Sequence, residues 1–360
     1  MKKTVISLAL LTSLAACTNT SQRANNSSDV QSVNKRPAPG ITKPASGPYL
    51  PNELGRIMIL EYHLIASPEG TYKRTPDNFR GDLEELYRHN YYPVSLNDVV
   101  NGTINIPAGK SPFVLTFDDS SQGQFRYLLK DGKPVIDPDC AVGIMESFKK
   151  KYSGFPVTAT FYLLPAIKKG LRLFGQEEYI DQKLKWLVKN GYDLGSHTYY
   201  HQNLSKADDN HVQMQLAMAI QAIEGYVPGY KVTSMALPQG YHAKNRALEV
   251  SGQYNGIPYR HQSVMLAFYK PSVSPYDVKF NPYAIERVMG EDSPVGPHAL
   301  IKHNIRHPLD NYVSDGDPKT ITLPEQLKAS LKPGLDQKYR IVYLTTPDKA
   351  VPAHAVKANP

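Results

Sequence analysis

From Arg56 onward the chain alternates short apolar runs with longer amphipathic stretches. RIMILEY (56–62) reads as a strand, and TPDNFRGDLEELYRHN (75–90) behind it reads as a helix. In that helix Thr75 is a capping residue, Pro76 suits the first helical position, and Phe79, Leu83, Leu86 and Tyr87 recur on one face. Further strands fit Pro112 to Phe117, Val157 to Leu163, Tyr192 to Ser196, Val232 to Leu237, Tyr254 to Pro258 and Val264 to Phe268; helices fit 139–151, 176–190, 208–225 and 242–251. Repeated strand-then-helix units imply a mainly parallel sheet. About seven of them, with no GxGxxG turn after any strand, point to an α/β fold of the distorted or incomplete (β/α) barrel kind rather than a doubly wound sheet.

The ends of the chain follow other rules. MKKTVISLALLTSLAAC has two lysines, an apolar run too short to span a bilayer, then small residues ending at Cys17, the plan of an export signal. Leu14-Ala15-Ala16-Cys17 resembles the bacterial lipobox, in which the cysteine is acylated. By that analogy residues 1–17 are a lipoprotein signal peptide, and Thr18 after the cysteine favours the outer membrane, facing the periplasm or the cell surface. Residues 18–50, rich in Asn, Ser, Pro and Gly, cannot bury enough apolar surface to offset chain entropy and read as a disordered tether. The main folded domain is expected over 51–295. Prolines recurring from Pro294 to Pro360 break up long elements, so 296–360 reads as a Pro-rich extension hugging the surface, with one strand at IVYLTT (341–346).

Charge narrows the partners. Lys and Arg outnumber Asp and Glu by 41 to 33, but only Lys149 to Lys151 cluster, and no basic stripe interleaved with aromatics is present. Nucleic acid is not an expected partner. Cys140 is the one cysteine besides Cys17, so with Cys17 acylated no intramolecular disulfide is available, and stability must come from the core.

Two strand ends carry the chemistry. LTFDD places Asp118 and Asp119 where a barrel strand meets its C-terminal edge, the position of functional groups in such barrels. Two adjacent carboxylates repel unless a cation offsets them, which predicts a metal. At the end of another strand, HTYYH supplies His197 and His201; one helical turn between them would put both imidazoles on one face, near enough to share a divalent ion. Each motif also has a plain reading, a turn or helix cap for FDD and coincidence for the histidine pair in a chain with 11 histidines. Their joint occurrence at strand ends favours the metal.

These residues carry a resemblance. LTFDD and HTYYH are similar to the first two motifs of the polysaccharide deacetylases of carbohydrate esterase family 4, the NodB-homology group, and ALPQG (236–240) looks like a degenerate third motif, R-x-P-Y-G. TATFYLLP (158–165) resembles the strand between the first two motifs. ILEYHLI near the domain start, with NYYPVSLNDVV behind the first helix, resembles the circularly permuted branch that acts on poly-β-1,6-N-acetylglucosamine. There the family's final L-x-H element comes first, and Leu60 and His63 fall in it.

The resemblance implies that Asp119, His197 and His201 hold a divalent metal, with zinc expected, and that Asp118 is the general base. It implies the backbone N–H of Gln239 as an oxyanion donor and His63 as the acid for the leaving amine; the other reading of His63 is a hydrogen-bonded histidine closing the first strand. The implied activity is N-deacetylation of an acetylated N-acetylhexosamine polysaccharide, with acetate released. Peptidoglycan or chitooligosaccharide deacetylation is the runner-up, and a catalytically weak polysaccharide-binding lipoprotein on the same fold is the reading from a different class. That last reading rests on ALPQG, which lacks the family's arginine. Arg287, in YAIERV, reads as a surface ion-pair residue, with supply of the missing cation as the alternative. His298, His303 and His307 receive no role, and the sequence leaves the oligomeric state open. Tyr72, Tyr91, Tyr92, Tyr199, Tyr200, Tyr241, Tyr259 and Tyr269 are candidates for stacking on sugar faces, whereas Trp186 reads as core.

Overall fold

The computed structural model describes residues 49–166 and 172–345. Cys17, the signal and nearly all of the tether therefore lie outside the described residues. Eight parallel strands make the central sheet: β1 (Met58–Tyr62), β2 (Tyr91–Pro93), β3 (Ser111–Phe117), β4 (Thr160–Leu163), β5 (Asp193–Ser196), β6 (Ser234–Ala236), β7 (Ser263–Tyr269) and β8 (Ile285–Met289). Their order is β1-β8-β7-β6-β5-β4-β3, and β1 also pairs along β3, so seven strands close into a distorted (β/α) barrel. The short β2 pairs with residues 111–113 of β3, on the edge that β4 occupies higher up at residues 116–117.

Five longer helices surround the ring: α1 (Pro76–Arg88), α2 (Ala141–Lys151), α3 (Ile180–Lys189), α4 (Asp209–Tyr226) and α5 (Pro297–Arg306). Thr75 caps α1, its hydroxyl accepting from the Asn78 N–H at 3.1 Å, and Phe79, Leu83 and Leu86 are buried. Trp186 packs at the margin of this core, with its ring 5.4 Å from that of Phe125.

The seven expected strands are not the seven observed. Ser251–Tyr254 and Ile257–Arg260 form an antiparallel hairpin outside the barrel. Asn255-Gly256, both at positive φ, makes its two-residue turn, the chemistry that favours a hairpin over a crossover strand. The seventh barrel strand is β8, whose Glu286-Arg287 pair interrupts the apolar pattern that marks a buried strand. The helix expected over 242–251 shrinks to Ala247–Val250.

Side-chain alternation divides the interior. Met58, Leu60, Tyr62, Phe113, Leu115, Phe117, Phe161 and Leu163 face the helical layer, whereas Ile57, Ile59, Val114, Tyr162, Ala236, Met265 and Ile285 share a second cluster inside the ring. Gly195 keeps that space open, because a Cβ there would collide with the Tyr162 ring.

The C-terminal segment does more than hug the surface. Pro297 starts helix α5 instead of breaking one, since a first-turn N–H has no intrahelical partner to lose. Thr320–Pro324 pairs in parallel with Arg340–Leu344, and Tyr312, Ile321, Leu323 and Tyr339 join the inner cluster. They close the ring near the start of β1, where Asn52 pairs with Val313 and Arg56 with Asn311. Glu53 locks this contact: it accepts from the Tyr312 hydroxyl at 3.1 Å and the Thr322 N–H at 2.8 Å.

Burial, reinforced by Asp315, pushes the Glu53 carboxyl up to about 8. A group whose folded value is raised contributes stability that is full below its unfolded value and is lost as pH rises through the folded one. The wild-type protein should therefore lose stability, on the order of a few kcal/mol, between about pH 4.5 and pH 8. Glu53→Gln should lack that component, measured as the difference in urea midpoint between the two proteins at pH 5 and pH 9. An equal pH dependence in both would mean that Glu53 is ionised in the fold.

Candidate metal centre and acid–base pair

Each site residue expected from the motifs follows the end of a barrel strand. Asp118 continues β3, with its N–H donating to the Tyr62 carbonyl at 2.9 Å, and the His197 N–H donates to the Leu163 carbonyl at 3.0 Å. The turns that follow are tight. Asp119, Ser120, Thr198, His201 and Gln239 all have positive φ, a cluster of costly backbone states at one rim of the barrel. The two histidines meet through this left-handed turn and not through the expected helical one; their ring centroids are 4.9 Å apart.

Asp119, His197 and His201 point ligand atoms into one space. Asp119 Oδ1 lies 3.4 Å from His197 Nε2 and 3.5 Å from His201 Nε2. It is buried with no hydrogen-bond partner. His197 Nδ1 donates to the Ala236 carbonyl at 2.9 Å, which leaves Nε2 as the free lone pair facing the others. Bonds of about 2.0–2.2 Å to a tetrahedral ion require ligand atoms roughly 3.4 Å apart, so the spacing fits a divalent cation held by one carboxylate and two imidazoles. His197→Ala or His201→Ala should lower metal content at least tenfold, measured by elemental analysis of protein purified without added metal. Unchanged content would place the ion elsewhere.

A second acidic group lies alongside. Glu61, His63 and Asp118 also bring possible ligand atoms within 4.8 Å of one another, but a cation is already there. Arg287 is fully buried and donates from Nη1 to Asp118 Oδ1 and from Nη2 to Asp118 Oδ2, both at 2.7 Å. Its Nη2 is also 3.2 Å from Glu61 Oε1, Nε donates to the Leu266 carbonyl, and the guanidinium stands over the Tyr162 ring. The surface ion pair expected for Arg287 is thus wrong. Its strand places it inside the ring, in the same inward row as Ile285.

Strand parity explains the meeting. Glu61 is two residues beyond inward-facing Ile59, and Thr116 and Asp118 continue the row of Val114. Burial alone would push the Asp118 carboxyl up, but Arg287 together with His197 and His63 outweighs it and holds the group well below the usual carboxylate range. For Glu61 burial wins over Arg287, and its carboxyl is pushed up to about 7. Sequence reasoning missed Glu61; the available signal was a carboxylate at a wholly buried position of MILEY.

The other expected residues fall nearby. His63 follows β1; its Nε2 is 3.6 Å from Glu61 Oε1, Nδ1 is buried without a partner, and burial lowers its pKa. Gln124 donates to the His63 carbonyl at 2.7 Å, tying the loop after β3 to the loop after β1. Gln239 sits in the turn after β6, its side chain accepting from Asn203 at 3.0 Å. Of the candidate sugar-stacking tyrosines, Tyr72, Tyr200 and Tyr241 are exposed, and Tyr72 lies 4.9 Å from the His63 ring. Tyr91 and Tyr259 are buried, and the side chain of Tyr269 lies outside the described residues. His298 bridges Asp82 and Asp292 in a structural network with Arg74.

Sequence comparison matches residues 105–255 to the family described as polysaccharide deacetylase. Among solved structures, the Streptococcus pyogenes deacetylase PplD, in complex with acetate, superposes with a TM-score of 0.51 at 17% identity, covering 69% of this chain and 97% of that one. The fold is that of a polysaccharide deacetylase. A polysaccharide deacetylase from Bacillus cereus superposes on it with a TM-score of 0.50 at 18% identity, covering 68% of each chain. No curated protein sequence matches. Within the polysaccharide deacetylase fold of this chain, the matched segment contains Asp118, Asp119, His197, His201 and Gln239, whereas Glu61, His63 and Arg287 come from outside it.

Proposed function

We propose that this protein is a metal-dependent N-deacetylase of an N-acetylhexosamine polysaccharide of the poly-N-acetylglucosamine kind. In this reading it is exported and held at the outer membrane through an acylated Cys17. The observation that carries the catalytic part is the pairing of a three-ligand metal site with a carboxylate clamped in a bidentate ion pair beside it. The anchor rests on the lipobox-like LAAC alone, and no helix among the described residues is long and apolar enough to cross a membrane.

A divalent ion bound by Asp119, His197 and His201, zinc being our choice, supplies Lewis acidity toward a water and an amide carbonyl. The residues do the rest. Arg287 occupies one lone pair on each Asp118 oxygen, leaving others free to accept a proton from the attacking water. The backbone N–H of Gln239, aimed by a left-handed turn, steadies the negative charge that develops on the carbonyl oxygen. As the C–N bond breaks, His63 delivers a proton to the departing amine, and the products are acetate and a free amino sugar.

The test is acetate release by metal-loaded protein on a panel of poly-N-acetylglucosamine, chitooligosaccharides and peptidoglycan. Release confined to either of the last two would shift the substrate to the runner-up. No release from any of them would leave a sugar-binding protein on a deacetylase scaffold. Arg287 supports catalysis over that reading, since the cation missing from ALPQG is supplied by β8. On the preferred substrate His63→Ala should lower turnover by about 10²–10³-fold with metal content unchanged; equal turnover would return His63 to a structural role.

A further inference from the structure

The barrel has a second concave site at its opposite end. Lys110 stands just before β3, Tyr92 lies in β2, and Tyr152 and Phe155 belong to the loop leading into β4. With Tyr87 of α1 and Lys151 they line a groove of about 390 Å³, within the roughly 300–1,000 Å³ usual for small-ligand sites. At strand spacing it lies about 25 Å from Asp118. None of its residues takes part in the chemistry proposed above.

Its walls stand at the margin of the core, with Phe155 buried in it and Tyr92 and Tyr152 packed against it. Tyr87 is 38% exposed, although Phe79, Leu83 and Leu86 of the same helix are buried. Its ring stacks on that of Tyr152 at 4.0 Å, and the Tyr152 hydroxyl donates to Glu84 at 2.8 Å, so both rings are held in place. Tyr92 is braced edge-on by Phe155. Fixed amphipathic rings facing a groove, with polar groups at the rim, match a pyranose, which has an apolar C–H face and a rim of hydroxyls. The charge is one-sided. Lys151 pairs with Glu84, while Lys110 donates only to a neutral acceptor, Asn90, and so leaves the groove a net positive charge.

Resting on the deacetylase reading, we propose that this groove binds an acetylated stretch of the same polymer while another stretch occupies the metal site. An acetylated hexosamine is neutral and is accepted; the deacetylated product carries ammonium groups and is repelled by Lys110. Two-point attachment raises the effective concentration of substrate at the metal site for long chains only.

Affinity electrophoresis through gels containing acetylated glucosamine polymer, or its deacetylated form, measures retention; acetate release from long and short chains measures the consequence. Wild-type protein should be retarded at least fivefold more strongly by the acetylated gel. Tyr87→Ala and Tyr92→Ala should lose most of that retention and raise KM on long polymer at least fivefold, with kcat and the rates on short oligomers unchanged. If either tyrosine variant does not fold, Lys110→Ala at the rim carries the test and should raise retention by the deacetylated gel at least threefold. Wild-type retention in folded groove variants, or equal retention by the deacetylated gel, would overturn the proposal. Retention by the groove without acetate release from any glycan would instead overturn the deacetylase reading.

Discussion

Asp118→Asn should lower acetate release by about 10²–10⁴-fold while leaving metal content and thermal stability close to wild type. The carboxamide has the size of the carboxylate, Arg287 retains Glu61 as a counter-charge 3.2 Å away, and the three metal ligands are untouched. What disappears is a buried, ionised acceptor beside the metal site. The measurement is single-turnover acetate release together with elemental analysis on the same preparation. Turnover at the wild-type rate would remove Asp118 from proton transfer, and loss of metal would show that the substitution disturbed Asp119 instead.

Arg287→Leu should be the most disruptive single change. It leaves Asp118 and Glu61, both buried, facing each other without their cation, and breaking a buried pair in this way costs about 3–5 kcal/mol. Urea unfolding should show the loss, and acetate release should fall at least as far as in Asp118→Asn. Arg287→Lys should recover part of the stability but little activity, because an ammonium cannot reproduce the two parallel bonds to the carboxylate. Adding Glu61→Leu to Arg287→Leu should restore part of the stability, since one buried carboxyl left without its partner leaves with it, and the non-additivity measures the coupling. Strict additivity of the two changes would mean that Glu61 and Arg287 do not share an ion pair.

The sequence disclosed the barrel because its strands are apolar and evenly spaced, and it disclosed the cluster of Asp119, His197 and His201 because these residues sit in two short, contiguous motifs. Asp119 and His201 could be read without coordinates for that reason. It hid β8 for the opposite reason: a strand that delivers Arg287 to the interior must interrupt its own apolar signature. The apolar run at 254–258 reads as a barrel strand only if its Asn-Gly turn is ignored, and this surplus strand offsets the hidden β8 in the strand count. The left-handed turn joining His197 to His201 was equally silent, since Thr198, β-branched, is a residue type rarely found at positive φ.

The ion pair between Asp118 and Arg287 joins β3 to β8, the strands that flank β1 on either side of the ring's seam. The proton transfer proposed for Asp118 is therefore assembled only when the first and last strands of the barrel have zipped together. On the proposed mechanism, an excised piece covering residues 105–255 would keep Asp119, His197 and His201 and still be inert, because the guanidinium that clamps Asp118 arrives with the final strand.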